Sequence, residues 1–297
     1  MGRRDERPIV VGVDASDSAR AAADWAADLA AVWGSPLHLL HSVPGSQAPD
    51  VAALAWLREL SRAAERSGAG PSRVEVKSGT TIDLLSDRAA GAAMLVLGSY
   101  GEGATSGMLA GTAALALAGH VSCPVAVIRG HEPKVAPPRG GPVIVGVDGS
   151  AASHAALLFA ADLAVSLGAR LVAVHAWSDV AENEHGLHRR PEDEAELAAQ
   201  GGALLAEETR AVTELYPGLA VADELAHDTP LRALLARADE ARMIVVGHRG
   251  LPAEQGMGLG STSRALVEFA PCPVVVTPPP LVAVPPGRES DAAESAG

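Results

Sequence analysis

The sequence predicts an α/β protein of two tandem Rossmann-like halves, each an open parallel five-stranded sheet with helices on both faces. Three observations predict it. Short, almost continuously apolar runs such as Ile9-Val10-Val11-Gly12-Val13 alternate with Ala-rich stretches of helical length; the runs suit parallel strands buried on both faces. The pattern restarts at Val143-Ile144-Val145-Gly146-Val147-Asp148. Each half also carries a Gly-x2-Gly-x9-Gly-[Ser/Thr] stretch directly after an apolar run.

In chain order, the first strand runs from Ile9 towards Asp14, and Ser16 and Asp17 can cap a helix reaching Trp33. Gly34-Ser35-Pro36 stops it. Leu37 to Val43 reads as the second strand, Asp50 to Ser67 as a helix and Val74 to Lys77 as a third strand. Thr80 or Thr81 caps a helix from Ile82 to Ala90, and Met94 to Gly98 is a fourth strand. It enters the turn Gly98-Ser99-Tyr100-Gly101, and a further helix begins at Gly111-Thr112-Ala113. Pro124 to Arg129 is a fifth strand.

The second half repeats this order. Asp14 and Asp148 are 134 residues apart, as are Val43 and Trp177, whereas Gly98 and Gly247 are 149 apart, as are Cys123 and Cys272. The second half therefore holds one insertion of 15 residues after Trp177 and before its fourth strand, expected in the charged stretch Asp179 to Glu196, with a longer loop and second helix. Residues 1–130 are expected to be one domain, 131–141 a Pro/Gly-rich linker, 142–278 the second domain and 279–297 a disordered tail.

Composition narrows the function classes. At 297 residues, 48% of them hydrophobic, the chain can build two full cores. A net charge of −13 and only 3% aromatic residues argue against nucleic acid as a partner, which needs a basic face or stacking platforms. No apolar run nears the ~20 residues of a membrane span, and no signal-peptide pattern precedes Ile9, so a cytoplasmic protein is expected with no membrane partner. Cys123 and Cys272 fit no metal or redox motif and are expected as small buried thiols. His38, His41 and His175 fall on or beside second strands and read as packed or hydrogen-bonded residues, since no triad partner accompanies them. His185 and His188 read as part of a solvated polar loop.

The chemistry is concentrated in the glycine stretches. In an open parallel sheet, ligands bind beyond the carboxyl ends of the strands, where the chain switches direction. If the first and fourth strands are neighbours there, Asp14 faces the Gly98–Thr112 loop and Asp148 faces Gly247-His248-Arg249-Gly250 and Gly260-Ser261-Thr262-Ser263. Glycines let the backbone approach an anion, and helix N-terminal N–H groups point at it, so the loops read as phosphate cradles. The acids after strand one could accept from a base amino group or a ribose hydroxyl, or hold a divalent cation such as Mg²⁺.

Taken together, these residues resemble those of a tandem universal stress protein. The resemblance is carried by Gly12-Val13-Asp14, Gly146-Val147-Asp148-Gly149-Ser150, both glycine loops, and Cys123-Pro124-Val125 with Cys272-Pro273-Val274, and it covers Pro8 to Thr277. In that family the full glycine motif marks members that bind ATP. The resemblance implies strand order 3-2-1-4-5 in each half, a fifth strand that supports pairing between domains or subunits, and hence a homodimer. It implies ATP as ligand, alone or with Mg²⁺. It places Gly12 with Asp14 and Gly146 with Asp148 by the adenosine, and the backbone near Val43 and Trp177 against adenine. Ribose and phosphates fall to Gly98, Ser99, Gly101, Gly111, Thr112 and Ala113, and to Gly247, His248, Arg249, Gly250, Gly260, Ser261, Thr262 and Ser263.

The halves differ. Arg249 offers a cation where the first loop has Tyr100, and Asp179 follows the second strand where the first half has Gly45, so tighter binding is expected in the second half. Glu102 and Glu254 put an anion in each loop. A Walker Gly-Lys-[Ser/Thr] and a Gly-x-Gly-x-x-Gly after strand one are both absent, which excludes the usual P-loop and dinucleotide sites. The expected function is regulatory ATP binding without a dedicated catalytic base. An adenylating enzyme of the related adenine-nucleotide fold and a scaffold with vestigial sites are the alternatives. The sequence does not identify a regulatory protein partner.

Overall fold

The strand Ile9–Gly12 (β1) sits in the middle of its half because all its residues but the last are buried. A computed structural model describes residues 6–43, 45, 51–101, 111–129, 136–177, 191–250 and 258–279. After β1 come α1 (Asp17–Trp33), β2 (Leu37–Val43), α2 (Val51–Arg66), β3 (Ser72–Ser78), α3 (Thr81–Ala89), β4 (Met94–Gly98), α4 (Thr112–Ala118) and β5 (Val125–Ile128). The second half repeats them as β6 (Val143–Gly146), α5 (Ala151–Leu167), β7 (Leu171–Trp177), α6 (Pro191–Leu215), β8 (Val221–His227), α7 (Pro230–Leu235), β9 (Met243–Gly247), α8 (Ser261–Phe269) and β10 (Val274–Thr277).

Local chemistry sets the helix ends. Ser16 caps α1, its Oγ accepting from the Ala19 N–H at 3.1 Å, and Ser150 does the same for α5 through Ser153. Gly34 and Gly168 close these helices at φ 65° and 59°, a left-handed conformation open to glycine at no steric cost. The insertion appears partly as helix: α6 has 25 residues against 16 in α2. Ser72 and Val221, the first residues of β3 and β8, are already 149 apart, so the whole insertion precedes the third strand. The connection at 178–190 lies outside the described residues, as does the tail beyond 279.

Each half has the order 3-2-1-4-5, but two separate sheets are not formed. The strands make one ten-stranded sheet, β3-β2-β1-β4-β5-β10-β9-β6-β7-β8. Pairing is parallel except at the join, where β5 and β10 run antiparallel with Ala126 opposite Val275. The reason is burial. Every residue of β5 (VAVI) and β10 (VVVT) is buried, and either strand left as an edge would expose apolar side chains and unpaired backbone groups. The remaining edges, β3 and β8, carry Arg73, Glu75 and Lys77, and Asp223 and Glu224, which suit a solvent-facing border.

Alternation along the strands divides the core in two. Ile9, Val11, Val143 and Val145 point to the side covered by α1, α2, α5 and α6. Val10, Ile144, Leu95 and Ile244 point to the side covered by α3, α4, α7 and α8. Both cores run through the join, so the halves share apolar packing. Cys123 and Cys272 are free and buried in the second core, and burial pushes their thiols up to about 11 and about 12. Neither thiol of the native protein is expected to react with a disulfide reagent near pH 8, and both should react once the chain is unfolded. Rapid labelling of folded protein would contradict this packing.

Candidate functional site

The two acids stand just beyond the central strands. Asp14 follows β1 by two residues, and β1 pairs with β4, so the carboxylate faces the turn that leaves β4. The same holds for Asp148 between β6 and β9. One carboxylate oxygen is fixed in place: Asp14 Oδ1 accepts from Ser16 N–H at 3.0 Å and Asp148 Oδ1 from Ser150 N–H at 3.0 Å. The other oxygen reaches the glycine turn. A Cβ at Gly101 would lie 3.0 Å from Asp14 Oδ2, and one at Gly250 would lie 2.0 Å from Asp148 Oδ2. At Gly250 the acid thus occupies the space of a side chain, and at Gly101 it approaches closely enough that a side chain would have to push it back by a few tenths of an ångström.

The first glycine has a different reason. A Cβ at Gly98 would meet the Ser18 carbonyl carbon at 2.7 Å and Ala19 N at 2.9 Å; at Gly247 it would meet the Ala152 carbonyl carbon at 2.9 Å. Here the first turn of α1 or α5 presses on the end of the fourth strand. The third glycine closes the loop: Gly111 N–H donates to Ser99 O and Gly260 N–H to His248 O, each at 2.8 Å. Ser99 is buried beneath the turn with its Oγ 3.5 Å from Ser18 Oγ. The loop interiors, 102–110 and 251–257, lie outside the described residues, and with them Glu102 and Glu254. Asp179, His185 and His188 are likewise outside.

Each half has a cavity at this place. The second, of about 580 Å³, brings together Gly146, Asp148, Gly247, Arg249, Gly250, Gly260, Ser261, Thr262 and Ser263. The first, of about 290 Å³, brings together Gly12, Asp14, Gly98, Gly101, Gly111, Thr112 and Ala113. Gly260 caps α8 without a side-chain hydrogen bond, and Ser261, Thr262 and Ser263 of the first turn line the cavity, so the N–H end of the helix lies at its wall. Ser263 lines the wall, but its Oγ donates to Gly247 O at 2.7 Å and so braces the loop. Arg249 Nε donates to Gly258 O at 2.7 Å, which fixes its guanidinium against the loop's far end. His248 is not among the residues that line the cavity; burial first, and Arg249 second, lower its pKa and favour the neutral ring.

Val43 and Trp177 do not line the cavities. Alternation along β7 turns Val174 and Ala176 to the cavity, while Trp177 stacks on His227 with ring centroids 4.2 Å apart. His41 and Ser42 take the corresponding wall in the first half. His41 and His175 are structural as read: their Nδ1 atoms lie 2.8 and 2.7 Å from Val13 O and Val147 O, holding the strand-two end to the acid-bearing turn. Sequence reasoning missed the apolar rim, Leu85 in the first half and Leu234 with Pro230 in the second. The signal was available in the strand order, because a crossover from the third to the fourth strand must carry α3 or α7 past strands two and one. Among the described residues, no group of three or more His, Cys, Asp or Glu side chains could hold a metal on its own, and no helix is long and apolar enough to cross a membrane.

Comparison with known proteins places this arrangement. The model of the universal stress protein family matches residues 6–129 and again 141–278. Universal stress protein Rv2623 of Mycobacterium tuberculosis is 33% identical over 290 residues, covering 90% of this chain and 95% of that protein. Universal stress protein Rv2005c of the same organism is 36% identical over 295 residues, covering 92% and 97%. The crystal structure of a universal stress protein from Archaeoglobus fulgidus has the same fold, with a TM-score of 0.67 at 20% identity over 93% of this chain and 99% of that one. The chain belongs to the universal stress protein family and carries two of its domains in tandem.

Proposed function

We propose that each half binds one ATP and that occupancy regulates the protein's conformation or contacts. The observation that supports this most is the pairing, in both halves, of a carboxylate with a glycine it closely approaches, at the mouth of a cavity. In the second half the adenine ring would lie against Val174, Leu234 and Val246, with Asp148 accepting from a ribose hydroxyl. The phosphates would lie over Gly247, Gly250 and the start of α8, with Arg249 supplying positive charge. A Mg²⁺ carried with ATP would take its ligands from phosphates, water and one carboxylate, as this ion commonly does.

The second half is the tighter site in this reading, because its cavity is about 580 Å³ against about 290 Å³ and Arg249 replaces Tyr100. The reading is regulatory because Asp148 and Asp14 are the carboxylates that line the cavities among the described residues, and each is already fixed as a turn acceptor. No lysine lines either cavity among those residues.

Denaturing the purified protein and weighing the released small molecules by mass spectrometry should find adenine nucleotide. Calorimetry on the stripped protein should then give two sites of unequal affinity. Protein that carries no nucleotide and takes up none would leave the scaffold reading in place. Rapid pyrophosphate release would instead favour an adenylating enzyme.

A further inference from the structure

We propose that α4 couples the two cavities, so that nucleotide in the first half raises the affinity of the second. The proposal rests on the reading of both cavities as nucleotide sites. At one end of α4, Thr112, Ala113 and Ala114 form a wall of the first cavity. At the other end is Gly119, and a Cβ there would lie 3.1 Å from both the Gly258 carbonyl carbon and Leu259 N, and 3.3 Å from Gly258 Cα. Gly258 and Leu259 belong to the far end of the loop around the second cavity. A helix of 7 residues, about 10 Å long at 1.5 Å per residue, therefore touches both sites.

The contact leads directly to ligand-facing groups. Gly258 O accepts from Arg249 Nε at 2.7 Å, and Arg249 and Leu259 both line the second cavity. One residue further on, Gly260 N–H closes the loop on His248 O. The frame around the contact is fixed at two other points. β5 pairs with β10, and Arg129, just past β5, donates through Nη1 to Glu268 O near the end of α8 at 2.5 Å. A shift of α4 against this frame must then be taken up where Gly119 meets Gly258, since close-packed interiors transmit small displacements. The halves are not equivalent here, because α8 carries Glu268 where α4 is followed by Gly119. Nucleotide that orders the start of α4 steadies the seat under Gly258 and so holds Arg249 in place. Linkage requires the reverse effect to be equal.

Gly119 is a clean place to test this. Its φ of −101° suits any residue, so Gly119→Ala adds only a methyl group against Gly258 and Leu259. Titration of ATP into the full chain, with the second site assigned by its weakening in Asp148→Asn, should show three results. Asp14→Asn, which weakens the first site, should lower second-site affinity about fivefold, within the range of measured couplings. Gly119→Ala should lower it by a similar factor without changing first-site affinity in the Asp148→Asn background. Adding Asp14→Asn to Gly119→Ala should then have no further effect on the second site. Second-site affinity unchanged in both single variants would overturn the proposal. Hydrogen exchange at 258–263 without nucleotide is the independent measurement. Exchange should be faster in Gly119→Ala, and identical exchange would overturn the seat even if no ATP binds, whereas absent ATP binding with altered exchange would sink only the nucleotide reading.

Discussion

Gly247→Val should destabilise the protein by about 3 kcal/mol, and Gly98→Val by a similar amount, because both force a side chain into backbone. A Cβ at Gly247 meets Ala152 C at 2.9 Å and Ala152 O at 3.0 Å; at Gly98 it meets Ser18 C at 2.7 Å and Ala19 N at 2.9 Å. These atoms belong to the first turns of α5 and α1, which cannot swing aside as a flexible side chain could. Relief requires moving a helix whose inner face is fully buried, including Ala156, Leu157 and Ala160 in α5. Valine at either glycine therefore reports folding rather than ligand contact. Gly111→Ala provides the contrast. Its Cβ would find only Ser99 O, at 3.9 Å, and its φ of −58° is open to alanine. Gly111→Ala should leave the denaturation midpoint near that of the parent while weakening nucleotide at the first cavity, where the methyl group meets the ligand. Urea denaturation of the three variants checks the ordering; a Gly247→Val protein as stable as the parent would refute the packing argument.

This contrast marks how far the sequence could be read. The spacing of Gly98, Gly101 and Gly111 located the turn, but spacing carries no sign of why each residue is glycine. The first yields to a helix, the second to a carboxylate and the third closes a loop, and only the third has room to spare. The strands were legible because parallel central strands are continuous apolar runs, and Val143-Ile144-Val145 repeats Ile9-Val10-Val11. Their joining through the fifth strands follows from the resemblance, which implies pairing between domains or subunits there, and not from the residues themselves. β5 and β10 are separated by most of the second half, and two short, almost wholly apolar strands give no cue of their own to partner or direction. The cavity walls were partly legible. Asp14 and Asp148 follow from the strand they end, whereas Val43 and Trp177 are expected to meet adenine through the backbone at the strand end, and their side chains do not line the cavities. The period of two puts Ala176 at the second cavity and Trp177 on the far side, where it meets His227. Leu85 and Leu234 depend on the path of a crossover helix, a property of strand order rather than of any local motif.

Asp148→Asn should cost the second site about tenfold or more in ATP affinity while the protein stays folded. The substitution keeps the shape of the side chain and an Oδ1 acceptor for Ser150 N–H, so the turn into α5 survives. What changes is the atom next to Gly250. A carboxylate oxygen that can only accept becomes an amide nitrogen that can only donate, in a gap too narrow for a Cβ. A ribose hydroxyl there loses an ionic acceptor, and hydrogen bonds to charged groups contribute about 1.5–3 kcal/mol. Asp14→Asn should act in the same way on the first site, where the corresponding approach to Gly101 is looser, 3.0 Å against 2.0 Å, so the amide is accommodated with a smaller loss. Calorimetry on both variants, with thermal melting to confirm that each is folded, separates the carboxylate's role at the ligand from its role in the turn. If Asp148→Asn binds ATP as the parent does, the acid serves the turn alone and the second cavity holds its ligand without it. If both variants fold and Asp14→Asn proves the more damaging, the first half is the principal site, and the larger cavity and Arg249 do not decide affinity.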